Sequence, residues 1–239
     1  MKASRFLWPL LLLVAIWMFA GCAWFGAERP EKPASELVRE GVAAYDRGKY
    51  TDALKAFEQL KNWYPFSQYA ILAELKIADS HYHLQQYPEA VAAYEEFERL
   101  HPRNEAVPYV IYQIGRCHYE QIDSVDRDQS SARKALDTFR RLVRQFPNDP
   151  YARKADSHII ICLQSLAGHE MHVGHYYFRQ AQYQAARHRF LAVITQYPDV
   201  GYHHEALHYL TRCEAYRPLD TSSAEGDGVA DKAKNNFTD

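Results

Sequence analysis

The sequence predicts an all-α protein of about four and a half helix pairs, roughly nine helices in all. A pattern of one Ala, one aromatic residue, one apolar residue and one Pro occurs four times in register. Its spacing puts the first three residues on one helix face and places the proline where it stops the helix. No stretch shows the two-residue alternation of a half-buried strand. These observations favour a stack of antiparallel helices.

The chain begins with the features of a signal peptide followed by a lipid attachment site. Two basic residues precede an apolar run from Phe6 to Ala20, which is shorter than the ~20 residues that a membrane span needs. Small residues then lead to Cys22, a pattern typical of the bacterial lipobox. We therefore predict a signal peptide at 1–21, acylation of Cys22 (palmitate) and a lipidated tether at 22–35. The alternative is an ordinary secretory signal that is removed together with Cys22.

The residues around the anchor and the overall charge limit location and partners. Ala23, not Asp, follows the cysteine, which in proteobacterial lipoproteins favours the outer membrane. The predicted location is therefore the periplasmic face of the outer membrane, through the lipid anchor. A formal net charge of -2 at pH 7 provides no electrostatic footprint for nucleic acid. The polar residues 220–239 are predicted to form a disordered tail.

The four repeats share an Ala, an aromatic residue four positions later, an apolar residue three further on, and a Pro twelve after the Ala. The sets are Ala53-Phe57-Leu60-Pro65, Ala90-Tyr94-Phe97-Pro102, Ala135-Phe139-Leu142-Pro147 and Ala186-Phe190-Val193-Pro198. The Ala lets two helices approach closely, and the aromatic ring fills the groove between them. This is the pattern of the tetratricopeptide repeat (TPR), and it predicts a right-handed TPR superhelical solenoid.

The repeats predict where each helix begins and ends. The expected pairs are 36–47 with 51–63, 70–85 with 88–100, 107–121 with 131–145, and 151–181 with 184–196, followed by a final helix at 203–216. The 151–181 stretch is predicted to be bent or broken near Gly168, and the sequence leaves open whether it is one helix or two. The insertion at 121–131 is predicted to be a surface loop. We expect 36–219 to form a single domain, with repeats at 36–65, 70–102, 107–147 and 151–198 and a partial repeat at 203–216.

Three of the four cysteines occupy equivalent positions in the repeat. Counting thirteen residues from each proline gives Ala78, Gly115, Ile160 and Thr211, and two residues further lie Ser80, Cys117, Cys162 and Cys213. Stacked helices lie about 8–10 Å apart, whereas a disulfide needs Cα atoms within about 7 Å. The cysteines are therefore predicted to be small buried apolar residues, with redox or metal roles as the alternative.

One segment matches an enzymatic motif. His204-Glu205-Ala206-Leu207-His208 fits H-E-x-x-H, which on a helix can bind zinc. However, Ala206 is equivalent to Ala73 and Ala155 in the repeat, so an ordinary first helix is the preferred interpretation over a zinc hydrolase. His169, His172 and His175 are likewise predicted to lie on a helix face and not in a metal site. We expect no enzymatic activity, no catalytic residue, no metal and no cofactor.

Tyrosines and cations recur on the first helices. Tyr45, Tyr82 and Tyr119 are spaced 37 residues apart. The candidate groove residues are Tyr45, Tyr82, Tyr119, Tyr112, Tyr109, Arg39, Lys76 and Arg116. Such a surface suits a peptide with aromatic side chains and a terminal carboxylate, because Tyr offers contact area and a polar tip. The alternative is that these tyrosines only pack between helices, and the sequence does not decide between the two.

Five further segments carry a resemblance to a known family. They are Glu96–Pro102, Pro108–Tyr112, Asp126–Gln129, Leu142–Asn148 and Tyr176–Arg179. With the lipobox, they resemble the BamD (ComL) family, the lipoprotein subunit of the outer-membrane β-barrel assembly machinery (the Bam complex). The resemblance covers most of the chain from Cys22 to about Tyr216.

The resemblance implies a non-catalytic scaffold that makes protein–protein interactions. Family members bind the periplasmic POTRA region of the barrel protein BamA and receive the C-terminal signals of unfolded outer-membrane proteins, and other Bam lipoproteins are possible partners. Arg189 occupies a family Arg position and is expected to contact an acidic residue of BamA, with surface packing as the alternative. The competing hypothesis is a TPR lipoprotein that assists secretin or pilus assembly, or envelope division.

Overall fold

The computed structural model describes residues 32–216, and within this range the chain consists of nine α-helices and no strand. The helices are α1 (Ala34–Asp46), α2 (Tyr50–Trp63), α3 (Ala70–His83), α4 (Tyr87–Leu100), α5 (Val107–Tyr119), α6 (Ser130–Gln145), α7 (Pro150–Arg179), α8 (Tyr183–Gln196) and α9 (His203–Ala215). The predicted all-α tetratricopeptide class is confirmed. The predicted signal peptide, Cys22 and the tail at 220–239 lie outside the described residues. Between 32 and 216, no helix is both long and apolar enough to span a membrane.

The helices divide into two compact units, with the boundary inside α3. The first unit ends at Lys76 and the second begins at Ile77. That residues 36–219 form a single domain remains a prediction.

In the first unit, α1 and α2 pack through a glycine and an aromatic ring. A Cβ atom at Gly41 would lie 2.7 Å from Cε1 of Phe57, so the ring lies directly against the α1 backbone. Phe57, Leu37 and Leu60 are fully buried. The Ala-aromatic pattern of the second helix thus meets a small residue on the first helix, as the repeat predicts.

The second unit repeats this contact at two places. A Cβ atom at Gly115 on α5 would lie 2.5 Å from Cε1 of Phe139, and one at Gly174 on α7 would lie 2.6 Å from Cε1 of Phe190. Both phenylalanines are fully buried. The aromatic residue of each second helix is therefore the central core side chain of its repeat.

The segment that was predicted to be bent or broken near Gly168 is one continuous helix, α7. It begins at Pro150, where the Asp149 side chain accepts a hydrogen bond from the Tyr151 backbone N–H at 2.8 Å. Gly168 does not break α7. A Cβ atom there would lie 2.9 Å from the Tyr202 hydroxyl, so the glycine permits close packing.

Residues at equivalent positions of the repeats differ in burial. Cys117, Cys162 and Cys213 are buried and free, which confirms the apolar interpretation, and burial raises the pKa of Cys117 to about 12. Ile160 and Thr211, which are equivalent in the repeat to the buried Ala78 and Gly115, are exposed. Among the described residues, α7 continues past Ile160 without a turn and no helix follows α9, so no second helix covers either position as Phe139 covers Gly115.

Candidate functional site

In the first unit, Tyr45 and Lys76 come together. The Lys76 Nζ atom lies 4.0 Å from the centroid of the Tyr45 ring, which is a cation–π contact. The same ring meets Tyr50 edge to face, with centroids 5.3 Å apart. Arg39 lies on α1, as Tyr45 does, and its side chain is exposed. Of the three candidate groove residues in this unit, Tyr45 and Lys76 contact each other as an aromatic–cation pair.

In the second unit, Tyr82 and Arg116 form a second aromatic–cation pair, and a carboxylate joins them. Arg116 donates hydrogen bonds from Nη2 to the Tyr82 hydroxyl at 2.6 Å and to Glu120 Oε1 at 2.5 Å. The guanidinium carbon lies 5.6 Å from the Tyr82 ring centroid. Burial raises the pKa of Tyr82, so its hydroxyl stays protonated and donates to Glu120 at 3.2 Å. Arg116 is therefore already paired with a carboxylate of its own chain.

Tyr109 directs its hydroxyl into the core. Both Tyr109 and Tyr94 donate hydrogen bonds to Asp79 Oδ1 at 2.7 Å, and Asp79 is only 2% exposed. Gln113 in turn donates to the Tyr94 hydroxyl at 3.4 Å. A buried carboxylate needs such donors because an unsatisfied charge in the interior is costly. Tyr109 therefore stabilises the packing of the second repeat.

Tyr112 and Tyr119 meet at His158. The Tyr112 hydroxyl lies 3.0 Å from His158 Nε2, and the Tyr119 ring centroid lies 4.6 Å from the imidazole. His158 also stacks on Phe139, at 5.1 Å and an interplanar angle of 19°. Burial, with a further contribution from Arg116, lowers the pKa of His158, so it is neutral at pH 7. Tyr112 is 8% exposed and packs in the core, whereas Tyr119 is half-buried.

Sequence reasoning missed three polar partners of these tyrosines. Glu120 lies four residues after Arg116 on one helix face, so an i,i+4 ion pair was predictable. Asp79 is buried in the core of the repeat, where apolar residues are expected. His158 is 46 residues from Tyr112, and no local pattern connects them.

Arg189, the expected contact to BamA, lies on α8. It donates a hydrogen bond from Nη1 to Glu170 Oε2 on α7 at 3.0 Å. The Arg189 side chain is 38% exposed, and that of Glu170 is 13% exposed. Arg189 is thus a half-exposed cation paired with a carboxylate that is largely, but not fully, buried.

The polar side chains of the H-E-x-x-H segment are exposed. Glu205 lies 3.3 Å from His175 Nε2 on α7, and His204 and His208 are exposed. His169 instead donates from Nδ1 to the Val125 carbonyl at 2.6 Å. Across residues 32–216, no three His, Cys, Asp or Glu side chains are arranged to hold a metal ion.

Comparisons with known proteins identify relatives of the chain. Residues 30–228 match the family model YfiO, described as an outer membrane lipoprotein. The chain is 33% identical over 222 residues to outer membrane protein assembly factor BamD of Caulobacter vibrioides, covering 91% of this chain and 69% of that protein. It is 31% identical over 202 residues to BamD of Neisseria gonorrhoeae, covering 80% and 75%. Among solved structures, it is similar to a tetratricopeptide repeat protein from Parabacteroides merdae, with a TM-score of 0.41 and 12% identity over 77% of each chain.

Proposed function

This chain belongs to the YfiO (BamD) family of outer membrane lipoproteins, and on that premise we propose that it is a non-catalytic scaffold of the β-barrel assembly machinery. It is anchored through Cys22 on the periplasmic face of the outer membrane. It binds the POTRA region of a BamA-like barrel protein and receives the C-terminal signals of unfolded outer-membrane proteins. A role in outer-membrane protein assembly is common to the named relatives.

The arrangement of Tyr82, Arg116 and Glu120 is the observation that carries the proposed peptide recognition. Glu120 holds a carboxylate against an arginine and a tyrosine hydroxyl, which is the environment that a peptide's terminal carboxylate needs. A client peptide replaces Glu120 with its own carboxylate and lays its terminal aromatic ring beside Tyr82.

The remaining candidate residues support this site in different ways. Tyr119 is half-buried and offers a ring to a ligand, whereas Tyr109 and Tyr112 hold the helices through Asp79 and His158. In the first unit, Tyr45 with Lys76 provides a second aromatic–cation pair. We propose that each pair, taken by itself, binds an aromatic side chain of a client.

Arg189 is proposed to bind BamA by the same exchange of carboxylates. An acidic residue of BamA competes with Glu170 for the half-exposed guanidinium, which can hold two carboxylate oxygens at once. The energetic gain is modest because one ion pair replaces another.

Co-purification from the native membrane tests the function. The tagged chain should recover BamA, and Arg189→Ala should reduce that recovery. Arg140→Ala is the matched control, because Arg140 is an exposed arginine on α6. Recovery of a secretin without BamA would overturn the proposal in favour of the competing lipoprotein class.

A further inference from the structure

The turn between α2 and α3 exposes a concentration of apolar surface. Phe66 is 100% exposed, and Trp63, Ile71 and Leu72 are 43%, 43% and 38% exposed. Single exposed apolar residues are normal on soluble proteins. Here four of them lie within ten consecutive residues, which we call the aromatic turn (63–72).

The repeat itself does not require this surface. Phe66 directly follows the proline that ends the second helix, and the residues that follow the corresponding prolines in the other repeats are Arg103, Asn148 and Asp199. All three are exposed and polar. A fully exposed ring stabilises no core, so the reason for Phe66 lies outside the folded chain.

The aromatic turn also lacks negative charge. No Asp or Glu occurs between Glu58 and Glu74, and Lys61 is the one charged residue in these fifteen positions of a chain that is 24% charged. A surface of this kind is not repelled by anionic phospholipid headgroups. Trp, Tyr and Phe are also the side chains that settle at the membrane–water interface.

A hydrogen bond places the aromatic turn beside the start of the folded region. The Tyr64 hydroxyl donates to the backbone carbonyl of Lys32 at 3.0 Å. Lys32 is ten residues from Cys22, a distance that an extended chain spans in at most ~35 Å. A lipid on Cys22 therefore keeps the aromatic turn within that reach of the bilayer.

We propose that the aromatic turn binds the phospholipid surface of the membrane in which the chain is anchored, with Phe66 and Trp63 inserting among the headgroups. This rests on the proposed lipid anchor for its location, and it gives the protein a second, non-covalent membrane contact. Two weak signals together hold a protein at a membrane far better than one acyl chain.

A vesicle assay tests the aromatic turn without the anchor. The full chain from residue 22, with Cys22→Ser to remove the lipid site, is mixed with vesicles of phosphatidylethanolamine and phosphatidylglycerol. Trp24→Phe leaves Trp63 as the one tryptophan between residues 22 and 239, so its emission reports insertion directly. We expect co-sedimentation with the vesicles and a blue shift of the Trp63 emission.

The decisive variant is Phe66→Asn, which places the residue of the third repeat at the same turn position and so preserves the fold. It should lower the vesicle partition coefficient by at least about fivefold, since an inserted aromatic side chain is lost from the membrane. Ile160→Ser is the matched control, because Ile160 is 52% exposed on α7 in the other unit, and it should leave partitioning unchanged.

Three results would overturn the proposal: no binding to vesicles, unchanged partitioning with Phe66→Asn, or an equal loss with Ile160→Ser. Vesicle binding could also be absent while Phe66→Asn lowers the recovery of BamA. The last result would make the aromatic turn a protein contact. Since the vesicle assay contains neither the anchor nor BamA, its failure is distinct from a failure of the co-purification. A chain that binds vesicles but recovers no BamA would leave the aromatic turn standing.

Discussion

Replacing Glu120 with Gln should strengthen the binding of a client carboxylate to Arg116. In the free protein, Glu120 accepts from both Arg116 and Tyr82, so an incoming carboxylate has to displace it. Gln keeps the length and shape of the side chain but removes the charge. The perturbation therefore frees the guanidinium without enlarging the site.

The expected change in peptide affinity follows from the solvent exposure of the Arg116–Glu120 ion pair. The side chains of Arg116 and Glu120 are 30% and 33% exposed, and an i,i+4 pair of this kind is worth only about 0.3–1 kcal/mol after solvent screening. Removing the competitor should therefore tighten binding of a peptide with a free carboxylate by about two- to fivefold. The gain should shrink as salt is added, because part of the pair is in solvent.

The assay compares two peptides from the C-terminus of an outer-membrane barrel protein, identical except that one ends in a carboxylate and the other in an amide. Fluorescence anisotropy should show tighter binding of the acid peptide to Glu120→Gln and no change for the amide. In the same assay Tyr82→Ala should cost about 1–3 kcal/mol. An equal effect of Glu120→Gln on both peptides, or none on the acid, would refute the exchange of carboxylates.

Three further predictions concern stability. Gly115→Ala should destabilise the fold by about 1–3 kcal/mol, because the new Cβ meets the Phe139 ring. In urea denaturation, the double variant with Phe139→Leu should lose less free energy of unfolding than the sum of the two single variants. Additive losses would contradict the contact. Ala181→Gly should stabilise by about 0.5–1 kcal/mol, because Ala181 has φ 56 whereas Gly48 occupies the corresponding turn with φ 71; a lower melting temperature would contradict it. Burial lowers the pKa of His158, so the unfolded state binds more protons below about pH 6.5 and the free energy of unfolding falls as the pH drops through that window. His158→Phe should reduce this pH dependence, and an unchanged slope would exclude His158 as a contributor.

Helix positions were predictable because the repeat carries its own boundaries. Each second helix ends before a proline, and each Ala-aromatic spacing identifies the face that packs on the preceding helix. The predicted starts and ends therefore lie within about two residues of those observed, which is the usual uncertainty of helix ends. At Ile160 and Thr211 the position is equivalent in sequence to Gly115 but exposed, because α7 continues past Ile160 without a turn and no helix follows α9 among the described residues.

The residue types of the candidate site could be predicted from the sequence, but which of its side chains are exposed could not. The spacing of Tyr82 and Arg116 indicated an aromatic–cation surface, but Tyr112 is buried and contacts His158, which α7 brings from 46 residues away. The burial of Asp79 could not be predicted from the sequence for a related reason. A buried carboxylate is recognised by its tyrosine donors, and those come from other helices.

Both arginines proposed to bind partners are occupied by carboxylates of this chain, Arg116 by Glu120 and Arg189 by Glu170. These internal ion pairs reduce the electrostatic contribution to the free energy of binding a partner. Because each partner carboxylate replaces an internal one, the net free energy of exchange is small, and the charge selects the correct partner more than it tightens the complex. Specific but reversible contacts are what a scaffold requires if it receives one unfolded client after another. Glu170 is the more buried of the two carboxylates, so leaving it unpaired costs more, and the Arg189 contact should exchange less readily than that of Arg116.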